Sequence, residues 1–200
     1  MKLYYSPGAC SLAPHIALNE LGLSHSAEKV DLRAKKTETG EDFLGVNSKG
    51  YVPTLETKDG TLTEVQVILQ YLADKNPAAG LLPKFGDISR YRAMEMLNFV
   101  STELHKGIGG LFNPAMPDAG KEAIKGRVAV RLDWLEKQLA KSPYLLGDAF
   151  SVADAYAFTV LGWTKHVGID LSGYPAIGAY LGRIAARPAV QKTLKAEGLA

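Results

Sequence analysis

The hydrophobic period of this chain switches repeatedly over residues 1–77 and then settles, and that change constrains the fold more than any other feature. KLYY reads as a strand, and SLAPHIALNELGL follows with Leu12, Ile16 and Leu23 at helical spacing. Pro14 is tolerated there because it falls in the first turn, where its missing N–H has no partner to lose, and Gly22 closes the helix. SAEKVDL reads as a second strand, and a polar, lysine-containing connection running through EDFLGVN reads as loop. VPTLET and TLTE flank KDG, so Asp59-Gly60 predicts a tight hairpin. EVQVILQYLADKNP is then a helix with Val65, Ile68, Leu69 and Leu72 on one face and Pro77 at its exit. The module is β-α-β-loop-β-β-α, an α/β N-terminal domain over residues 1–77.

NPAAGLLPKFG has the prolines and glycines of a connection, which sets a linker at 78–86. No strand alternation recurs after it, so residues 87–200 are expected to form an all-α C-terminal helical domain. One long helix carries Met94, Leu97, Leu104, Ile108 and Leu111 as its stripe, and the next carries Ile124, Val128, Leu132, Leu135 and Leu139. In FSVADAYAFTVLGW, Ser151-x-x-Asp154 has the form of a capping box, and the scarcity of polar residues after it predicts the central, buried helix. YPAIGAYLGRIAARPAVQKTLKA supplies one or two more helices, divided near Pro188.

Composition removes several function classes. A net charge of +2 with scattered Lys and Arg is too weak a footprint for nucleic acid. No run approaches the ~18 apolar residues of a spanning helix, so no membrane partner is expected and a cytoplasmic location is. With one cysteine, no internal disulfide can form. No metal ligand set is expected.

That cysteine, Cys10, stands where the first strand hands over to the first helix. A thiolate there would face unpaired backbone N–H groups and the positive helix end, which predicts an acidified sulfur; the alternative is a small buried hydrophobe. The residue three positions on is Ala13, so no CxxC redox pair exists and disulfide chemistry needs an external thiol. Val52-Pro53 enters a predicted strand, either as an edge-strand proline or as a cis bond that turns the Val52 N–H and C=O outward. Glu64-Val65 opens the helix after the hairpin, where free amides can bind a carboxylate and Glu64 an ammonium, or where Glu64 merely compensates the helix dipole.

Taken together, SPGACS, NSKGYVPTL, LTEVQVILQYL and YLLGDAFSVADAYAF resemble the cytosolic glutathione transferases over essentially the whole chain, and Cys10 points to the bacterial beta class. The resemblance implies a thioredoxin-like N-terminal domain, glutathione as cosubstrate without a metal, and a homodimer. It implies that Pro53 is cis and that the Val52 backbone pairs with the cysteinyl part of glutathione. It implies that Glu64 grips the γ-glutamyl ammonium and Val65 the γ-glutamyl carboxylate, here by its N–H alone because the usual serine hydroxyl is missing. Lys35, with Lys36 as substitute, matches the lysine that reaches the glycyl carboxylate. Ser48 replaces the proline of NPKG-like sequences.

Seven residues apart, Asn98 and His105 would share a face of a regular helix, whereas Glu103 points about 140° from Asn98. The resemblance implies that His105 approaches the Cys10 sulfur and that Asn98 and Glu103 reach glutathione bound to the other subunit. The expected activity is conjugation of glutathione to hydrophobic electrophiles, with Ser11 or His105 as donors favouring the glutathione thiolate. Phe112 and Trp163 are the candidates for lining the electrophile pocket. Cys10 would add thiol-disulfide or peroxide reduction. The alternatives are a glutathione-dependent reductase or dehalogenase with little conjugating activity, and a noncatalytic binding protein of the same fold.

Overall fold

A computed structural model describes residues 1–200. Five strands, β1 (Lys2–Tyr5), β2 (Ser26–Asp31), β3 (Lys36–Thr37), β4 (Thr54–Thr57) and β5 (Gly60–Thr63), form one sheet in the order β3-β2-β1-β4-β5. β1 and β2 run parallel, joined by α1 (Leu12–Glu20), and the other neighbours are antiparallel. The register pairs Leu3 with both Ala27 and Leu55, and Leu3 and Leu55 are fully buried. After a one-turn helix α2 (Phe43–Val46) and the β4–β5 hairpin comes α3 (Val65–Lys75), whose Ile68, Leu69 and Leu72 are fully buried. Each such side chain contributes ~1.5–3 kcal/mol by leaving water. α1 packs against α3 on one side and, on another, against the last helix of the chain, α9 (Pro188–Ala196).

The loop expected between β2 and β4 therefore contains structure. β3 is two residues long, too short to show a period, and α2 forms because Asp42 accepts the Leu44 N–H at 3.0 Å while Phe43 is fully buried. The hairpin is present, but Thr57 pairs with Gly60, so the two turn residues are Lys58 and Asp59 and Gly60 (φ 124°) already belongs to β5.

The second body runs from Gly80 to Ala186, and the first comprises Met1–Ala79 together with Arg187–Ala200. The sequence reading keeps residues 187–200 with the helical domain, whereas by contacts they join the first body. The second body consists of α4 (Ile88–Phe99), α5 (Lys106–Gly110), α6 (Asp118–Leu139), α7 (Val152–Leu161) and α8 (Pro175–Ala185). α7 is the buried one, with every side chain but half-buried Phe158 out of solvent. Its capping box is formed: one Asp154 carboxylate oxygen accepts the Ser151 N–H (2.8 Å) and hydroxyl (2.6 Å), the other the Leu145 N–H (2.8 Å) and the Tyr180 hydroxyl (3.1 Å). Burial pushes the Asp154 carboxyl above its ordinary range, and these four donors pull it back.

α4 and α5 are not one regular helix. Val100–His105 between them is π-helical, with i→i+5 hydrogen bonds. The wider turn shifts the register of everything after it, so a seven-residue spacing across it does not return to the same face. Asn98 is exposed while His105 is half-buried. Of the predicted stripe, Leu97, Leu104, Ile108 and Leu111 are buried, whereas Met94, which precedes the π segment, lies at 36% exposure with Ala93 buried beside it.

Candidate functional site

The first body brings Cys10 to Val52. Residues 6–11 leave β1 as a tight loop in which the Ala9 N–H donates to Ser6 O and the Ser11 hydroxyl both accepts from Ser6 N–H (3.1 Å) and donates to Ser6 O (3.3 Å). Ser11 is consequently sealed inside, at 0% exposure, and braces the loop. Cys10 emerges half-buried, with its Sγ donating to the Val52 carbonyl at 3.2 Å. One sequence expectation changes here. The first amides of α1 are not orphans: Leu12 N–H bonds Ala9 O (2.9 Å) and Ala13 N–H bonds Cys10 O (3.2 Å). Ser11 already has helical dihedrals, so the loop's own carbonyls fall beneath these two donors; what remains at the helix start is the Ser11 N–H, which has no acceptor in the chain, and the dipole.

The Val52–Pro53 peptide is cis. Val52 is buried, its carbonyl faces Cys10, and its N–H has no acceptor within the chain. The turn before it is organised by Asn47, also buried, whose amide donates to Tyr51 O (2.8 Å) and Thr54 Oγ1 (3.0 Å). Gly50 (φ 65°) closes that turn, and a Cβ there would lie 3.1 Å from Leu44 and 3.3 Å from Lys35 Nζ. Lys35 donates to Gly50 O at 2.9 Å and lies over the Tyr51 ring, so its ammonium sits at the GYVP turn; Lys36 is exposed on β3.

Glu64 takes a left-handed conformation (φ 68°) immediately before α3 and makes no side-chain capping bond. It is therefore not a hydrogen-bonding cap, although its charge still stands at the positive end of α3. The carboxylate is exposed and accepts from Lys49 Nζ at 2.6 Å, and the same ammonium donates to Thr63 Oγ1 at 2.7 Å. Val65, the first residue of α3, has its side chain in the core and its N–H without an acceptor in the chain. Sequence reasoning missed Asn47 and Lys49; the signal was present in NSKG, whose Asn and Gly mark a turn, but only the fold brings that turn to Glu64.

The second body carries the remaining candidates. His105, the last residue of the π segment, holds its Nδ1 2.6 Å from the Tyr156 hydroxyl and stacks edgewise on Trp163 with ring centroids 4.9 Å apart. Phe112 is half-exposed and meets Trp163 edgewise at 6.1 Å, so His105, Phe112 and Trp163 form one aromatic cluster. Tyr156, buried on α7, is a member that sequence reasoning did not name. Glu103 faces elsewhere and pairs with Arg131 of α6 at 2.5 Å. A groove of about 280 Å³ beside this pair is lined by Glu103, Lys106, Arg127 and Arg131. The structure has no group of three or more His, Cys, Asp or Glu side chains arranged for a metal, and no helix long and apolar enough to cross a membrane.

Comparison with known proteins places this geometry in context. Residues 8–75 match the family model described as glutathione S-transferase, N-terminal domain, and residues 118–183 match glutathione S-transferase, C-terminal domain. The glutathione S-transferase GstA of Escherichia coli O157:H7 is 46% identical over 200 residues, covering 100% of both chains. A sphingomonad glutathione S-transferase solved in complex with glutathione is 55% identical, with a TM-score of 0.96 and 100% of both chains covered. The beta class glutathione S-transferase of Sphingomonas chungbukensis is 52% identical, again with a TM-score of 0.96 and full coverage of both.

Proposed function

This chain belongs to the glutathione S-transferase family, and from that premise we propose how its residues carry out the conjugation of glutathione. The observation that carries the reading is the 3.2 Å contact of Cys10 Sγ with the carbonyl of Val52, whose own N–H has no acceptor. A cysteinyl residue paired in β fashion with the Val52 backbone sets its sulfur beside Cys10. Glu64 then receives the γ-glutamyl ammonium, the Val65 N–H and the α3 N-terminus receive the carboxylate, and Lys35 receives the glycyl carboxylate. Lys49 already occupies Glu64, so the incoming ammonium shares or displaces it.

In the reaction the glutathione thiol loses its proton, the thiolate attacks the electrophilic carbon, a C–S bond forms, and the leaving group departs with its electron pair. His105, whose Nδ1 is set by Tyr156, is the candidate donor from the helical body, and Phe112 and Trp163 are the candidates for the hydrophobic electrophile. Ser11 acts by bracing the Cys10 loop, since its hydroxyl is fully engaged. A second activity follows from the half-buried thiol of Cys10: its thiolate attacks oxidised glutathione, forming a mixed disulfide and releasing one glutathione thiolate.

We infer a homodimer in the reducing cytoplasm. Ile88, Tyr91 and Met94 on α4 and Val130 and Trp134 on α6 are large apolar side chains left in solvent, as an interface between copies requires. Asn98 and Glu103 would then serve the partner's glutathione. Replacing Glu64 by Gln tests the site. Losing one charge-assisted hydrogen bond of ~1.5–3 kcal/mol raises KM for glutathione about 10- to 150-fold with kcat little changed. A KM that stays put removes Glu64 from the site, and Cys10→Ala separates the two activities if conjugation survives while thiol-disulfide exchange is lost.

A further inference from the structure

The loop that presents Cys10 is held from the far end of the chain. Glu197, just past α9, has a side chain fully shielded from solvent. One carboxylate oxygen accepts the Gly8 N–H at 3.0 Å across 189 residues of sequence, and the other lies 2.8 Å from His15 Nδ1 on α1. The carboxylate thus ties together the two elements that flank Cys10, the loop before it and the helix after it. Gly8 is in a left-handed conformation (φ 71°), and the Leu199 methyls lie 3.7 and 3.8 Å from where its Cβ would be, so the residues after α9 cover the loop.

Packing alone does not account for an acid at this place. Burying a carboxylate costs several kcal/mol unless its partners are well placed, and a leucine would fill the volume without that cost. What the carboxylate adds is a fixed acceptor for an N–H two residues from the thiol. Within the loop Ser6, Ala9 and Ser11 bond to one another, and Cys10 Sγ itself reaches the Val52 carbonyl. We infer that Glu197, steadied by His15, is a positioning residue for Cys10: by holding Gly8 it keeps the sulfur directed at the Val52 carbonyl.

The inference rests on Cys10 being the reactive sulfur of the site, and both readouts are taken without glutathione, so a failure of glutathione binding leaves them interpretable. Because the chain has one cysteine, alkylation by iodoacetamide reports Cys10 alone. In Glu197→Ala the midpoint of the alkylation rate against pH moves from that of the parent, and amide exchange at Ser6, Gly8 and Ala9 speeds up at least tenfold. Glu197→Gln, whose carbonyl still accepts the Gly8 N–H, restores both. Asn19→Ala is the control: it removes the 2.9 Å Asn19–Thr193 bond between α1 and α9 and a 3.3 Å bond to the His15 carbonyl while leaving the Glu197 contacts with Gly8 and the His15 ring, and it leaves the midpoint in place. Glu197→Asp, one methylene shorter, replaces the alanine variant if that one does not fold. An unmoved midpoint in the Glu197 variant, or an equal movement in Asn19→Ala, overturns the inference.

Discussion

Removing the Asp154 carboxylate destabilises the helical body by about 3 kcal/mol, a figure that follows from its four donors. In Asp154→Ala the two hydroxyls can turn away, and that of Tyr180 already has the Asp154 backbone carbonyl 3.4 Å off. The Leu145 and Ser151 N–H groups cannot, and a stranded buried donor costs ~1–3 kcal/mol. Two of them give ~2–6 kcal/mol, less the part returned because burial already disfavours the charged carboxylate. Asp154→Asn keeps one acceptor but turns an NH2 towards the two Ser151 donors, for a loss of ~2 kcal/mol. Urea unfolding at fixed chain concentration reads both, with the m-value unchanged and Tm lowered by about 6–12 °C for the alanine variant, at ~2–4 °C per kcal/mol in a chain this size. A loss under ~1 kcal/mol in Asp154→Ala would refute the reasoning, since it would mean the stranded amides find water or other acceptors.

Three further outcomes are expected. The Lys2 ion pair, followed by the Thr39 hydroxyl, holds the Glu28 carboxyl down to about 2 from an ordinary 4.5; its folded value lies below its unfolded one, so the stabilisation is complete above pH 4.5 and fades towards pH 2. Lys2→Ala should therefore cost ~1 kcal/mol at pH 7, allowing for solvent around the lysine, and nothing near pH 2, read as a Tm difference that closes on acidification. In Gly107→Ala the new Cβ would stand 2.8 Å from Val128 Cγ2, a loss of ~1–3 kcal/mol partly offset by the ~1 kcal/mol helix preference of alanine; added to Val128→Ala it should cost less than in the parent, and simple additivity would show that α5 and α6 do not meet there. Val65→Ser gives the γ-glutamyl carboxylate a hydroxyl and should tighten glutathione about fivefold, or ~1 kcal/mol, by calorimetric titration while lowering stability by a similar amount; unchanged or weaker binding would move the carboxylate elsewhere.

The period change near residue 77 made both bodies legible, because burial faces repeat every 2 or 3.6 residues in each. The π segment was not legible: hydropathy records which residues are buried, and a change of hydrogen-bond register between α4 and α5 alters which faces coincide without changing composition. Cys10, Val52, Pro53, Glu64 and Val65 could be singled out because strand ends and helix starts are local events. Lys49 and Glu197 could not, since each acquires its partner only when distant segments meet; Glu197 reads as one more charge in a C-terminal helix until its carboxylate is seen against Gly8 and His15. Glu64 does stand at the start of α3, but its ion pair with Lys49 was not legible in the sequence.

The return of the chain end to α1 makes the helical body an insertion: both the polypeptide that enters it and the polypeptide that leaves it belong to the same host. A single scission after residue 79 cannot release that host as an intact fragment, because the piece left behind lacks the Arg187 partner of Glu20, the Thr193 partner of Asn19 and the Glu197 partner of His15. Its smallest faithful version is a splice, with residues 80–186 replaced by a short linker.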